Sequence, residues 1–162
     1  SGIRRTHEFI VVCFKDKAHT TLHPIHQPVW NETGYTNVVK PLETVIDGMG
    51  TNASAKDELE EILGDRTLFA TPKPVRLIEE LIRAASRKDS VVLDFFAGSG
   101  TTGHATMKLN AEDGGHRRFI LVTNNESNIC RRVTIPRIMK AKAICQCKEE
   151  IQVETFMERS VI

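Results

Sequence analysis

A glycine turn lies between a short apolar run and a helical pattern near the middle of this sequence. Residues 91–95 (VVLDF) are typical of a buried strand, the following AGSG is typical of a tight turn, and residues 101–109 predict a helix. Gly98, Gly100 and Gly103 give the spacing GxGxxG. Such a turn lets a ligand approach the backbone closely at a helix start, where unpaired N–H groups favour an anionic group. The turn therefore predicts a site for a nucleotide-like cofactor.

The elements around the turn predict an α/β fold. Thr71 is a suitable N-cap and Pro72 a suitable first residue for a helix that precedes the turn. Residues 118–123 (RFILVT) predict a second buried strand, and residues 127–143 predict a helix that Pro136 kinks or divides. The order helix, strand, turn, helix, strand, helix is that of a βαβ unit in a parallel sheet, with one extra helix in front.

The rest of the chain is less regular. Prolines and glycines interrupt residues 15–53, which predicts a small irregular subdomain. Three further elements are predicted: a strand over 8–14, an acidic helix over 54–63 capped by Ser54, and a strand over 150–157. We therefore divide the chain into an N-terminal part, 1–65, and a regular part, 66–162.

Composition indicates a single soluble domain. The chain has 162 residues, of which 40% are hydrophobic and 27% charged. No apolar run approaches the roughly 18 residues that span a membrane, and no signal peptide is visible, so we expect a cytoplasmic protein. The first residue is Ser1 rather than Met, which suggests a chain processed or cut from something longer. None of the four cysteines forms a CxxC pair, so reduced thiols are expected.

Charged and metal-binding residue types point to no further site. The net charge is +1, although one stretch is basic: Arg131, Arg132, Arg137, Lys140, Lys142 and Lys148. Such a stretch can hold a phosphate backbone, but a solvated helix face is the commoner explanation. His19, His23 and His26 lie close together without a partner cysteine or an HExxH pattern, so we expect no metal site.

Acidic residues refine the cofactor prediction. Glu126 follows the second strand, where a carboxylate can accept hydrogen bonds from both hydroxyls of a ribose. The alternative is a glutamate at a helix N-terminus that only interacts favourably with the helix dipole. Asp94 precedes the turn and Phe96 lies within it. An acid there would repel a pyrophosphate but attract an ammonium group, and an aromatic ring can pack against a sulfonium-bearing ligand. Both residues favour S-adenosylmethionine over NAD, although Phe96 as a core residue is an alternative.

Three segments carry a resemblance to a known family. The segments FATPKP (69–74), LDFFAGSGTT (93–102) and RFILVTNNE (118–126) resemble the β group of DNA amino-methyltransferases. The likeness is greatest to the modification (Mod) subunits of type III restriction systems, which are N6-adenine methyltransferases. It covers residues 66–138, and residues 6–17 resemble the strand before the family's target-recognition region.

The resemblance implies a partial Rossmann-like fold that binds S-adenosyl-L-methionine. It implies that residues 1–65 contain the end of the target-recognition region with one sheet strand, and that residues 66–162 form the cofactor-binding part. Roles carry over by position: a closing loop at Phe69, Thr71 and Lys73, a glycine turn at Asp94, Phe96, Ala97, Gly98, Ser99, Gly100, Thr101 and Thr102, and the ribose acid Glu126.

The family's catalytic loop is not found in the sequence. That loop reads Asp-Pro-Pro-Tyr or similar, and no Pro-Pro pair occurs anywhere in these residues. We therefore assign no catalytic residue and predict the cofactor-binding portion of a site-specific DNA adenine-N6 methyltransferase, inactive alone. Its implied partners are double-stranded DNA, the missing N-terminal catalytic segment or a second subunit that supplies it, and a restriction subunit.

Two other classes remain open from the sequence. The GxGxxG spacing together with Glu126 also suits a fragment of an NAD-dependent oxidoreductase. A non-catalytic accessory chain that binds DNA or a partner protein is the second alternative, although intact cofactor motifs argue against it.

Overall fold

The N-terminal region contains a β-hairpin. The computed structural model describes the backbone of residues 25–31 and 34–40, and residues 48–148 and 150–154. Strands β1 (Ile25–Asn31) and β2 (Gly34–Lys40) pair antiparallel, with Ile25 opposite Lys40. The prediction of an irregular segment is therefore wrong for these residues. Pro28 is tolerated within β1 because both strands of a two-stranded ribbon are edge strands. The strand predicted over 8–14 lies outside the described residues.

Helix α1 (Asn52–Leu63) begins earlier than predicted. Its N-cap is Thr51, whose Oγ1 accepts a hydrogen bond from the Ser54 N–H at 3.1 Å. Ser54 Oγ accepts in return from the Thr51 N–H at 2.8 Å. The predicted cap at Ser54 is therefore wrong: Ser54 completes a capping box from inside the first turn.

Helix α2 (Val75–Ala85) begins later than predicted, with Pro74 at its N-cap. Thr71 is not a cap, because Lys73 would lie in the first turn of a helix that begins at Pro72, and its position before Pro74 biases it away from helical geometry. Pro74 has no side chain that could cap the helix. Instead, Glu58 of α1 accepts a hydrogen bond from the Val75 N–H at 3.0 Å. Residues 69–73 are thereby left outside the helix, as a loop.

The predicted βαβ unit is confirmed. Strands β3 (Val91–Asp94) and β4 (Arg118–Leu121) pair in parallel, and helix α3 (Thr101–Asp113) connects them. Together with the other helices they form a mixed α/β fold. Only two strands of this sheet occur in the part of the chain that the structure describes.

The last helical segment is more irregular than its sequence predicts. A short 3-10 turn (Glu126–Asn128) and a π-helical turn (Cys130–Thr134) precede helix α4 (Ile135–Ile144). Pro136 lies in the first turn of α4 directly after the π-helical turn, so the helical hydrogen bonding is irregular where the proline has no N–H to donate. Residues 150–154 form no regular element, so the predicted final strand is wrong over these residues, and 155–157 lie outside the described part.

Three helices cover one face of the parallel sheet. Val92 of β3 packs on a cluster from α2 and α3: Val75, Ile82, Ala105 and Leu109. Phe119 and Leu121 of β4 pack on a second cluster from α3 and α4: Met107, Ile138 and Ala141. The sheet and its helices thus hold the glycine turn at the carboxyl end of β3.

The opposite face of the sheet is exposed. Val91, Leu93, Ile120 and Val122 are between 42% and 53% accessible to solvent. The interpretation of both runs as fully buried strands is therefore corrected: alternate side chains of each strand are covered by helices and the others are not. Among the described helices, none has the length and apolar character to cross a bilayer.

Candidate functional site

The glycine turn is held by two backbone hydrogen bonds, one to the residue after β4 and one within the turn itself. The Ala97 N–H donates to the Val122 carbonyl at 3.1 Å, and the Gly100 N–H donates to the Ala97 carbonyl at 2.7 Å. Gly98 and Gly100 have φ values of 49° and 78°, a left-handed region that other residues rarely adopt. The sequence spacing is therefore explained by backbone geometry at both positions.

Asp94 organises the turn from within. One carboxylate oxygen accepts from the Phe96 N–H at 2.9 Å, and the other accepts from the Thr102 hydroxyl at 2.6 Å. These two bonds tie the end of β3 to the first turn of α3. Phe96 is 93% exposed, so the alternative of Phe96 as a core residue is wrong.

Two adjoining cavities lie around the turn. The larger, here the main cleft, has a volume of about 590 Å³, within the range of small-molecule sites. The smaller, here the turn pocket, has about 220 Å³. Both are lined by Phe69, Phe96 and Gly98; the main cleft extends to Glu126, and the turn pocket adds Thr71, Lys73, Asp94, Ala97, Ser99, Thr101 and Thr102. Every predicted cofactor residue except Gly100 therefore lines one of the two cavities.

Gly100 lies beneath the turn rather than at its surface. A Cβ atom at this position would come within 3.2 Å of Thr134 Cγ2 and 3.5 Å of Ile138 Cδ1. Thr134 also donates a hydrogen bond from its hydroxyl to the Gly98 carbonyl at 2.6 Å. The turn is thus packed tightly on the residues that lead into α4.

The loop over residues 69–73 lies against the turn. The ring of Phe69 is 3.1 Å from the position that a Cβ of Gly98 would take. The Thr101 hydroxyl is 3.3 Å from the Lys73 carbonyl oxygen, to which it donates. Lys73 itself is half-buried beside the turn pocket. The predicted closing loop is therefore in contact with the glycine turn.

Glu126 is exposed at the far end of the main cleft. The Asn124 amide donates to its carboxylate at 3.3 Å. The next two residues, Ser127 and Asn128, have φ values of 53° and 61°. Asparagine enters this left-handed region readily, whereas serine does so rarely, so the backbone is strained at Ser127, beside Glu126.

Sequence reasoning missed Arg137. The prediction of a solvated basic face includes this residue, yet its side chain is fully buried, whereas Arg131, Arg132 and Lys140 are exposed. Its Nη1 donates to Ser99 Oγ at 3.0 Å and to Thr101 Oγ1 at 2.9 Å. Burial lowers the pKa of this guanidinium to about 10, so it remains charged at neutral pH.

A signal for this burial exists in the sequence. Val133 precedes Arg137 by four residues and Ala141 follows it by four, so the arginine lies on the same helical face as two apolar residues. Both of these neighbours are buried in the structure.

The parallel βαβ unit, with the main cleft and the turn pocket beside a helix start, defines an α/β domain suited to a nucleoside cofactor. A sequence profile described as DNA methylase, of the N6 and N4 methyltransferases, matches residues 1–135. The chain therefore belongs to this DNA methylase family, which confirms the resemblance drawn from its motifs.

Several characterised proteins share this similarity. The Mod subunit of the type III restriction-modification enzyme StyLTI of Salmonella typhimurium is 49% identical over 88 residues, 54% of this chain and 13% of that protein. The EcoPI Mod subunit of Escherichia phage P1 is 49% identical over 76 residues, 47% of this chain and 12% of the subunit. The type II methyltransferase M.KpnI of Klebsiella pneumoniae is 45% identical over 71 residues, 44% of this chain and 17% of the enzyme. The chain thus spans less than a fifth of each of these relatives.

Proposed function

We propose that this chain is the S-adenosylmethionine-binding portion of a site-specific DNA adenine-N6 methyltransferase from a restriction-modification system. The observation that carries the proposal is the pair of adjoining cavities with chemically different ends. The main cleft has the Glu126 carboxylate, while the turn pocket has the Ser99 and Thr101 hydroxyls at a helix start. This polarity suits a ligand with a ribose at one end and an amino acid at the other.

Different residues of the chain would hold different parts of the cofactor. Glu126 would accept hydrogen bonds from the ribose hydroxyls. Ser99 and Thr101 would donate to the carboxylate of the methionine moiety, helped by the partial positive charge at the start of α3. Phe69 and Lys73 would close the loop over this end, and exposed Phe96 would contact the ligand between the two cavities. The bound cofactor would supply an activated methyl group on its sulfonium.

Orientation is what these contacts contribute to the reaction. A displacement reaction needs the donor and acceptor atoms held in line, and holding them so lowers the barrier by removing motional freedom beforehand. We assign no catalytic residue among these 162 positions. The target adenine would be turned out of the duplex and gripped by an Asp-Pro-Pro-Tyr-like loop outside this sequence.

The exposed sheet face supports a further part of the enzyme beside this one. Parallel sheets in α/β proteins are covered on both faces, and here Val91, Leu93, Ile120 and Val122 are open. We propose that residues 66–162 form the cofactor-binding part of a larger Rossmann-like domain, after a target-recognition region that ends within 1–65. The open face would pack on the catalytic segment, in the same chain or a second subunit. Double-stranded DNA and a restriction subunit are the proposed further partners.

Calorimetry with S-adenosylhomocysteine and, separately, NADH tests the cofactor. We expect binding of the first and none of the second. Glu126→Gln should weaken S-adenosylhomocysteine binding by about 10-fold or more, because a hydrogen bond to a charged group contributes roughly 1.5–3 kcal/mol. Glu61→Gln, exposed on α1, is the matched control and should bind as the unaltered chain does. A preference for NADH would instead support an oxidoreductase.

A methylation assay tests whether this chain can transfer a methyl group without the proposed catalytic loop. The purified chain, incubated with duplex DNA and radiolabelled S-adenosylmethionine, should transfer no label. Transfer by this chain alone would contradict the proposal that the catalytic loop lies outside it.

A further inference from the structure

Arg137 is a buried charge that the fold alone leaves poorly satisfied. Its side chain is fully buried, and its Nε and Nη2 atoms have no hydrogen-bond partner among the residues that the structure describes. Within that same part of the chain, no carboxylate forms an ion pair with it. Burying a guanidinium without a carboxylate costs free energy, so a compensating interaction is expected at this site.

Glu58 is the carboxylate whose charge acts on Arg137, and it already accepts a hydrogen bond from another group. Glu58 helps to keep Arg137 protonated, opposing the effect of burial on its pKa. The same carboxylate, however, accepts the Val75 N–H at the start of α2. Glu58 therefore offsets part of the charge from a distance and does not satisfy the guanidinium directly.

Hydrogen-bond polarity connects Arg137 to the turn pocket. A guanidinium can only donate, so the Ser99 and Thr101 hydroxyl oxygens must both act as acceptors towards it. Each hydroxyl then has one hydrogen left to donate elsewhere. Thr101 directs its hydrogen at the Lys73 carbonyl over a long 3.3 Å, and the two hydroxyls are 3.2 Å apart. The hydrogen of Ser99 is thus open to an acceptor in the pocket, and that of Thr101 would turn to the same acceptor by leaving its long bond to the Lys73 carbonyl.

We infer that Arg137 is the positioning residue that gives the turn pocket its preference for a ligand carboxylate, acting through the hydroxyls of Ser99 and Thr101. By accepting from Arg137, the two hydroxyls must direct their hydrogens away from the guanidinium, and mutual polarisation makes them stronger donors to a ligand in the pocket. A carboxylate on the far side would complete a charge-balanced chain from carboxylate to hydroxyls to guanidinium. The inference rests on the proposed function and names what selects one end of its cofactor.

Two ligands that differ at that end test the inference. S-adenosylhomocysteine has the amino-acid end, whereas 5′-methylthioadenosine keeps the adenosine and sulfur but lacks that end. We expect Arg137→Met to weaken S-adenosylhomocysteine binding by about 10-fold to 100-fold, the range for hydrogen bonds involving a charged group. Binding of 5′-methylthioadenosine should change by less than about 3-fold. Arg137→Lys should retain part of the preference, because it keeps a charge but loses the forked geometry.

Controls separate folding from recognition. Arg131→Met removes an exposed cation near the start of the same helical segment and should leave both affinities unchanged. If Arg137→Met does not fold, Ser99→Ala and Thr101→Val, with Arg137 intact, should selectively weaken S-adenosylhomocysteine binding. In double variants that combine Arg137→Lys with Ser99→Ala or Thr101→Val, the effect of Arg137→Lys on binding should be smaller or absent, because Arg137 acts through these hydroxyls.

The outcomes distinguish the inference from the proposed function. An unaltered chain that binds S-adenosylhomocysteine, combined with a folded Arg137→Met variant that loses equal affinity for both ligands, would overturn the inference alone. An unaltered chain that does not bind S-adenosylhomocysteine would overturn the proposed function and the inference with it.

Discussion

Gly103 is where the tertiary packing should penalise even one added methyl group. A Cβ at this position would lie 2.6 Å from Ile138 Cδ1, 2.9 Å from Leu121 Cδ1 and 3.3 Å from Phe119 Cε2. Apolar carbon atoms normally approach to about 3.5–4.0 Å, so the added methyl overlaps the first two atoms by up to about 1 Å. All three neighbours belong to the cluster that α3 and α4 form on β4.

The expected cost of Gly103→Ala follows from two opposed effects. Overpacking of a core costs about 1–3 kcal/mol, whereas replacing glycine by alanine within a helix gains about 1 kcal/mol. We therefore expect a net loss of about 1 kcal/mol in the free energy of unfolding, measured by urea titration. The displaced α3 should also move Ser99 and Thr101, so S-adenosylhomocysteine binding should weaken in the same variant.

A double-mutant cycle tests the steric cause directly. Ile138→Val removes Cδ1, the nearest clashing atom, so Gly103→Ala should cost about 0.5–1 kcal/mol less in the Ile138→Val background. Gly114→Ala is the matched control: its φ is 66°, but nothing lies within 4 Å of the added Cβ. Its effect should be additive with that of Ile138→Val. If Gly103→Ala is stabilising, or additive with Ile138→Val, the steric reasoning is wrong.

Two further predictions concern buried groups near the same helices. Burial lowers the pKa of His104 from its ordinary value near 6.5 to about 4. Below pH 6.5 the unfolded chain therefore binds a proton at this histidine that the folded chain does not bind. The free energy of unfolding should fall by up to about 3 kcal/mol as the pH falls towards 4. In urea titrations from pH 7 to 4.5, His104→Gln should lose this component of the pH dependence, and an unchanged profile would contradict it. Glu58→Ala removes the acceptor for the Val75 N–H and should cost about 1 kcal/mol, whereas Glu61→Ala on the same helix should change stability by less than about 0.5 kcal/mol. Faster hydrogen exchange at the Val75 amide should accompany the first change, and equal effects of the two variants would exclude a capping role for Glu58.

The βαβ unit was predictable because its elements depend on interactions between residues that are close in sequence. The order of β3, α3 and β4 follows from apolar runs and a glycine turn, whose causes lie within a few residues of chain. Helix starts were less predictable, because the cap of α2 comes from Glu58, 17 positions away. The hairpin of β1 and β2 was missed because its proline and glycine are tolerated in a two-stranded ribbon.

Motifs in the sequence were enough to indicate the family, the glycine turn and the residue types expected around a cofactor. Three further features depend on contacts between distant segments: Phe69 lies against Gly98, Phe96 is open to solvent, and Arg137 contacts Ser99 and Thr101 from beneath. The physical reason is one of distance along the chain. A turn or strand is set by neighbouring residues, whereas burial of a charge depends on helices that meet only after the chain has folded.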